Sequence, residues 1–149
     1  MLFHALGTAG TVEITQQHER THLVSSITAS QVQIDQMDAI IASQAEMYYQ
    51  LADNPPPNMS WHDLKVLIHQ GNSTKLSDAE VVYPLPVPPH VAGKGIPKSW
   101  PRPYLTRGEL KLLSVPRLSM ILAEYGLVTG GDRRLRRNRL AHYIGLGSL

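Results

Sequence analysis

The sequence predicts an all-α protein in which a long N-terminal helix and a small C-terminal helical module are joined by a proline-rich connector. Three observations predict this. Residues 19–52 contain neither glycine nor proline and carry apolar residues at heptad spacing, which is typical of one long amphipathic, coiled-coil-like helix. Seven prolines lie between residues 84 and 103 and favour extended chain. Residues 105–149 then return to helical spacing behind residues that cap helices well.

The composition limits both the size and the class of the protein. A chain of 149 residues without cysteine excludes a disulfide framework and a thiolate zinc site, and fits an intracellular protein. No apolar run reaches transmembrane length, so we expect no membrane partner. Residues 1–64 hold seven acids and one arginine, a net charge of −6, whereas residues 65–149 hold thirteen lysines and arginines against five acids, a net charge of +8. Such an asymmetry indicates that the two parts meet different partners, or each other.

The N-terminal part is predicted to associate through its long helix. After an arm at residues 1–18, in which residues 11–15 alternate like a strand, a helical association region covers residues 19–80. One position of the heptad seam is Ile27, Ile34, Ile41 and Tyr48, and the other is Leu23, Ser30, Met37, Gln44 and Leu51. The residues assigned to self-association are Leu23, Ile27, Ile34, Met37, Ile41, Tyr48 and Leu51. A homo-oligomer and a helix that folds back within a monomer both remain open.

Three consecutive prolines from Pro55 end this helix, and a short partner helix follows. Ser60 is predicted to cap it, and Gly71 is predicted to end it. The connector at residues 81–104 is interpreted as a stiff polyproline-like spacer, with a loop packed on its own domain and a ligand for an aromatic-lined groove as the alternatives.

The last region, residues 105–149, is predicted to contain three helices. Thr106 and Glu109 form the pattern of a capping box. Ser114 is expected to cap a helix that stops at Gly126, and Asp132 a helix that begins with an arginine cluster. The apolar stripe of the first of these two helices is Val115, Leu118, Ile121 and Leu122.

This order resembles the SAP motif, a helix, extended loop, helix module that binds DNA and sometimes RNA. The matching residues are Leu113, Val115, Leu118, Leu122, Gly126, Leu127, Thr129, Gly131, Arg133, Arg139 and Leu140. The chain departs from the motif at Arg136, where the family has an apolar residue, and offers Leu135 one place earlier. The resemblance implies contacts between arginines and phosphates. The residues assigned to nucleic-acid binding are Thr129, Gly130, Gly131, Arg133, Arg134, Arg136, Arg137, Arg139, Lys111 and Arg117.

One catalytic pattern is present, from His18 to His22, in the HExxH arrangement of zinc hydrolases. Its third ligand would have to be Asp38 or Glu46, which lie about 24 to 36 Å further along a continuous helix. We therefore expect no metal, no cofactor and no catalytic residues, and treat a zinc-dependent hydrolase as a remote alternative.

The sequence thus predicts a non-enzymatic nucleic-acid-binding protein, with DNA favoured over RNA, located in the nucleus or, for a viral protein, in the virion. Its arginines are expected to contact phosphates, and its N-terminal helix other protein. The alternative is a structural or adaptor subunit of a large assembly, such as a virion or ribonucleoprotein, whose arginines meet an acidic protein or packaged genome.

Overall fold

The computed structural model describes the backbone of residues 9–147 and 149, and the side chains of residues 30–147 and 149. Most of this chain is helical. The elements in chain order are α1 (Ala9–Asp53), α2 (Trp61–Ser73), β1 (Val81–Val82), β2 (Leu105–Thr106), α3 (Arg107–Leu112), α4 (Val115–Glu124) and α5 (Arg133–Tyr143). Within the described residues, no helix is both long and apolar enough to cross a membrane.

The chain divides into two compact units, one ending at residue 42 and one covering residues 43–149. Residues 11–15, interpreted from the sequence as a strand or an extended arm, are helical and belong to α1. In the first unit, every described side chain from residue 30 to residue 42 is exposed. Buried side chains begin at Ala45, in the second unit.

The second unit is built on one hydrophobic core that includes the proline-rich segment. Val82, Tyr83, Leu85, Ile96 and Trp100 are all buried in it. The strands β1 and β2, at either end of this segment, pair antiparallel, with Val82 opposite Leu105. The interpretation of residues 81–104 as a spacer is therefore wrong. Prolines favour extended backbone, but the apolar residues between them gain by leaving water, so the segment packs against its own unit.

Two buried polar side chains join the segment to the helices. Asn72 on α2 donates through Nδ2 to the carbonyls of Tyr83 (2.8 Å) and Ile144 (2.7 Å), and its Oδ1 accepts from the Tyr83 amide (2.8 Å). The Tyr49 hydroxyl donates to the Val82 carbonyl at 2.9 Å and accepts from the Trp100 indole at 3.1 Å. Because buried backbone groups need partners, these two side chains fix the course of the segment.

Gly71 does not end α2, contrary to the sequence prediction, since the helix continues to Ser73. A Cβ atom at position 71 would lie 2.9 Å from the ring of Tyr83, which itself stacks on Tyr48 with ring centroids 4.1 Å apart. Glycine is needed here for the close approach of an aromatic ring, and the helical backbone is unaffected by it.

The predicted capping residues of the last three helices are confirmed. Thr106 and Glu109 form a capping box at α3, and Ser114 accepts from the Arg117 amide at the start of α4. After α4 the backbone turns at Gly126, whose φ of 75° favours glycine. The apolar stripe of α4, with Leu118, Ile121 and Leu122 buried, packs against α5.

Candidate nucleic-acid interface

The arginine cluster lies on α5, which follows α4 after an extended segment at residues 127–131. Asp132 caps α5 by accepting from the Leu135 amide at 2.8 Å. The capping carboxylate also places a negative charge at the start of the helix, where an anion would otherwise be favoured. Any phosphate contact must therefore rely mainly on the arginine side chains rather than on the amides of the first turn.

Arg139 holds the extended segment in place. Its Nη1 donates to the carbonyls of Val128 (2.7 Å) and Gly130 (2.9 Å), while the carbon skeleton of Leu135 lies against Gly131. Of the three loop residues assigned to binding, Thr129 is half-buried, and Gly130 and Gly131 are exposed. The guanidinium of Arg139 thus serves as a clamp for these residues.

Arg133 forms a second clamp, towards α3. Its Nε donates to the Leu113 carbonyl at 3.1 Å and its Nη2 to the Lys111 carbonyl at 3.2 Å. These carbonyls lie at the C-terminal end of a helix, where unpaired acceptors carry partial negative charge. Arg133 stays exposed and keeps further N–H groups for other partners.

Arg136 lies on the inner side of α5, at helical spacing from the buried residues Leu140 and Ile144. It is half-buried, and its Nη1 donates to the Ser119 hydroxyl of α4 at 2.7 Å. Leu135 is instead 54% exposed. Arg136 thus faces α4, where the Ser119 hydroxyl gives its guanidinium a partner, and its assignment to the binding surface stays a prediction.

Arg134 and Arg137 remain. Arg134 is exposed and makes neither a hydrogen bond nor an ion pair within the described residues. Arg137 is half-buried, and its buried Nε has no acceptor within the described part of the chain. Neither guanidinium is hydrogen-bonded within the described residues, so both side chains keep donors for a ligand, apart from the buried Nε of Arg137.

The two cations assigned to binding outside α5, Lys111 and Arg117, both have partners within the chain. Lys111 pairs with Asp78 at 2.9 Å, and Arg107 pairs with the same carboxylate at 2.8 Å. The hydrogen bond from Lys111, together with the charges of both cations, lowers the pKa of Asp78 below its usual value. Lys111 therefore contributes little to an anion site. Arg117 is exposed, and its Nε donates to the Ser99 carbonyl.

The electrostatic balance of this surface follows from where the acids lie. No ion pair of the described residues involves an arginine of α5. Each of the five acids in residues 65–149 accepts a hydrogen bond from a group other than an α5 arginine: Asp78, Glu80, Glu109, Glu124 and Asp132. Arg133, Arg136 and Arg139 are thus oriented by neutral carbonyl and hydroxyl oxygens, which fix a guanidinium without cancelling its charge.

The residues predicted for self-association are only partly free. Leu23 and Ile27 lie outside the described side chains, whereas Ile34, Met37 and Ile41 are exposed. The ring of Tyr48 stacks on Tyr83 within its own unit, and Tyr48 and Leu51 are both half-buried, so these two residues are less accessible to a second chain.

The HExxH pattern at residues 18–22 also lies outside the described side chains. Elsewhere, among the side chains that the structure describes, no group of three histidine or acidic residues is arranged to hold a metal ion. Comparisons with protein-family models, curated proteins and solved structures gave no match to the chain.

Proposed function

We propose that this protein binds nucleic acid without catalysing a reaction, through phosphate contacts from the exposed guanidinium groups of α5. The observation that carries the proposal is the absence of carboxylate partners for all five α5 arginines within the described residues. Two of the local acids accept backbone hydrogen bonds at helix starts instead, Glu109 at α3 and Asp132 at α5. Arg133, which two carbonyl acceptors already orient, loses less side-chain entropy when it binds a planar or tetrahedral anion.

The arrangement of α4, the extended segment and α5 supports a SAP-like mode of binding to DNA. In this proposal residues 105–149 act as the basic module, and the N-terminal helix makes contacts with other protein. Arg134 and Arg137 supply direct phosphate contacts, Arg133 adds one beside its clamp, and Arg139 shapes the loop that carries Thr129. Contacts of this kind give affinity without sequence preference.

A second candidate function is that of an adaptor in a large assembly, with the same surface docked on an acidic protein. The observation that favours it is a set of exposed apolar side chains in the same part of the chain. Leu112 is 77% exposed and Val128 is 70% exposed, and Met120 and Leu135 are also exposed. Apolar groups among cations suit a protein partner as well as the sugar and base edges of DNA.

The test uses two double variants with equal loss of charge. Arg134→Ala/Arg137→Ala removes the two most available guanidiniums, and Lys94→Ala/Lys98→Ala removes two exposed lysines of the proline-rich segment. Affinity for duplex DNA is measured over a series of salt concentrations. Each lost phosphate contact should reduce the slope of log affinity against log salt by about 0.9, so the arginine variant should lose about 1.8 and the lysine variant much less.

If the native chain binds neither duplex DNA nor RNA at low salt, nucleic-acid binding is refuted. Equal losses in the two variants would show that overall charge, and not the α5 surface, governs binding. Tight binding to an acidic protein together with no measurable binding to nucleic acid would favour the adaptor.

A further inference from the structure

The exposed part of α1 carries an apolar stripe that differs from the face by which the same helix enters the core of the second unit. At the C-terminal end of α1 the buried residues are Ala45, Tyr49 and Ala52. Each follows a heptad seam residue by one position, namely Gln44, Tyr48 and Leu51. One residue turns a helix by about 100°, so the core uses the face next to the seam.

Upstream, the positions next to the seam change from apolar to acidic. Asp35 follows Ile34, and Asp38 follows Met37, and both carboxylates are exposed. The face that packs into the core at residues 45–52 therefore has no apolar equivalent at residues 34–41. The seam itself remains apolar there, although Ile34, Met37 and Ile41 are 51%, 61% and 51% exposed.

We infer that this seam is a docking surface for α1 of a second copy of the chain, in a parallel pair of helices. The heptad repeat favours a helical partner, because a seven-residue period matches two helices that wind around each other. Beyond the nucleic-acid site proposed above, the chain thus carries a second, independent interaction surface.

Three features identify a second copy as the partner. The seam from residue 30 to residue 44 contains no charged residue, and its two polar members, Ser30 and Gln44, would meet their own counterparts in a parallel, in-register pair. Polar seam residues are known to set register when they pair in this way. Asp35 and Asp38 lie beside the seam and not in it, so two copies can pair without placing a charge between the seam residues.

The response to salt distinguishes pairing of two α1 helices from docking of α1 on the basic α5 surface of another copy. Residues 21–64 hold no lysine or arginine, so two copies of α1 repel each other at long range and should associate more tightly as salt rises. If the acidic α1 instead docked on the basic α5 surface of another copy, association would weaken with salt.

The test measures the dimer dissociation constant of the full chain by sedimentation equilibrium at low and high salt. The variant Ile34→Asp/Ile41→Asp places two charges in the seam and should raise the constant by about a hundredfold. The control Val32→Asp/Ala39→Asp adds the same charge to exposed positions of the same helix outside the seam, and should change it by less than about threefold.

A second measurement does not depend on how these variants fold. The native chain has no cysteine, so Met37→Cys introduces a single thiol at the seam, and Val32→Cys introduces one away from it. In a parallel, in-register pair the two thiols at position 37 face each other, and mild oxidation by molecular oxygen, which takes up the two protons and two electrons released, should join them far faster than the thiols at position 32.

Three results would overturn the inference. One is a native chain that remains monomeric at every concentration and salt. Another is equal weakening by the seam and control variants, or equal rates of disulfide formation at the two positions. The last is an association that salt weakens and that Arg134→Ala/Arg137→Ala abolishes, which would identify the α5 surface as the docking site.

Discussion

Replacing Arg139 and Arg134 one at a time by alanine should separate two roles within one arginine cluster. Arg139 makes two hydrogen bonds to carbonyls of the extended segment, at 2.7 and 2.9 Å. Charged hydrogen bonds contribute about 1.5 to 3 kcal/mol each when well shielded. Because this site is half-open to solvent, we expect Arg139→Ala to lower the free energy of unfolding by about 1 to 2 kcal/mol in total. For a unit of this size that lowers Tm by roughly 4 to 8 °C.

Arg134→Ala should instead leave stability almost unchanged and weaken DNA binding. Its side chain is exposed and makes no hydrogen bond within the described residues, so the free energy of unfolding should change by less than about 0.5 kcal/mol. Its DNA affinity should still fall, and the salt slope should decrease by about 0.9. Arg139→Ala should weaken binding with a smaller change in slope, because the loop loses its shape while the remaining phosphate contacts persist.

Differential scanning calorimetry and fluorescence anisotropy of labelled duplex DNA, carried out on the same preparations, measure the two effects. Two results would contradict this division of roles: an unchanged Tm in Arg139→Ala, or a Tm that falls as much in Arg134→Ala as in Arg139→Ala. Either result would mean that the carbonyl contacts of Arg139 do not hold the loop.

Three more predictions concern stability and metal. Asn72→Ala should cost about 2 to 4 kcal/mol in urea unfolding, because it leaves the buried Tyr83 amide and two carbonyls without their partner; a cost below 1 kcal/mol, on the order of a surface change, would contradict this. Burial raises the pKa of Tyr49 from 10.0 to about 12. The stability that its neutral hydroxyl contributes to the folded state is therefore complete below about pH 10 and is lost as pH rises towards 12. Urea unfolding at several pH values should show this fall, and a flat profile would speak against a buried neutral phenol. The purified chain should hold no stoichiometric zinc by elemental analysis, whereas one zinc per chain that His18→Ala removes would restore the hydrolase alternative.

The sequence predicted those parts of the fold that depend on near neighbours. A capping box needs only Thr106 and Glu109, three residues apart, and the stop of α4 needs only Gly126. Such signals act within one turn of helix, so they can be found without knowing the tertiary structure.

Side-chain partners distant in sequence could not be predicted in this way. Trp100 meets the Tyr49 hydroxyl 51 positions away, and nothing local in a proline-rich stretch indicates that its apolar residues lie in a core. Tyr48 fits the heptad as well as Ile41 does, yet its ring stacks on that of Tyr83, 35 positions later in the chain. The same limit applies to the arginines of α5, whose clustering was visible in the sequence while their carbonyl acceptors were not.

The clamp made by Arg133 sets a rule for how this chain can diverge during evolution. One planar guanidinium reaches two carbonyls, of Leu113 and Lys111, through two different nitrogen atoms. A lysine ammonium, a single point on a flexible stem, does not reproduce that fork, although it carries the same charge. At position 134, where the side chain faces solvent, charge alone matters. Natural variants should therefore keep arginine at position 133 while position 134 drifts between arginine and lysine.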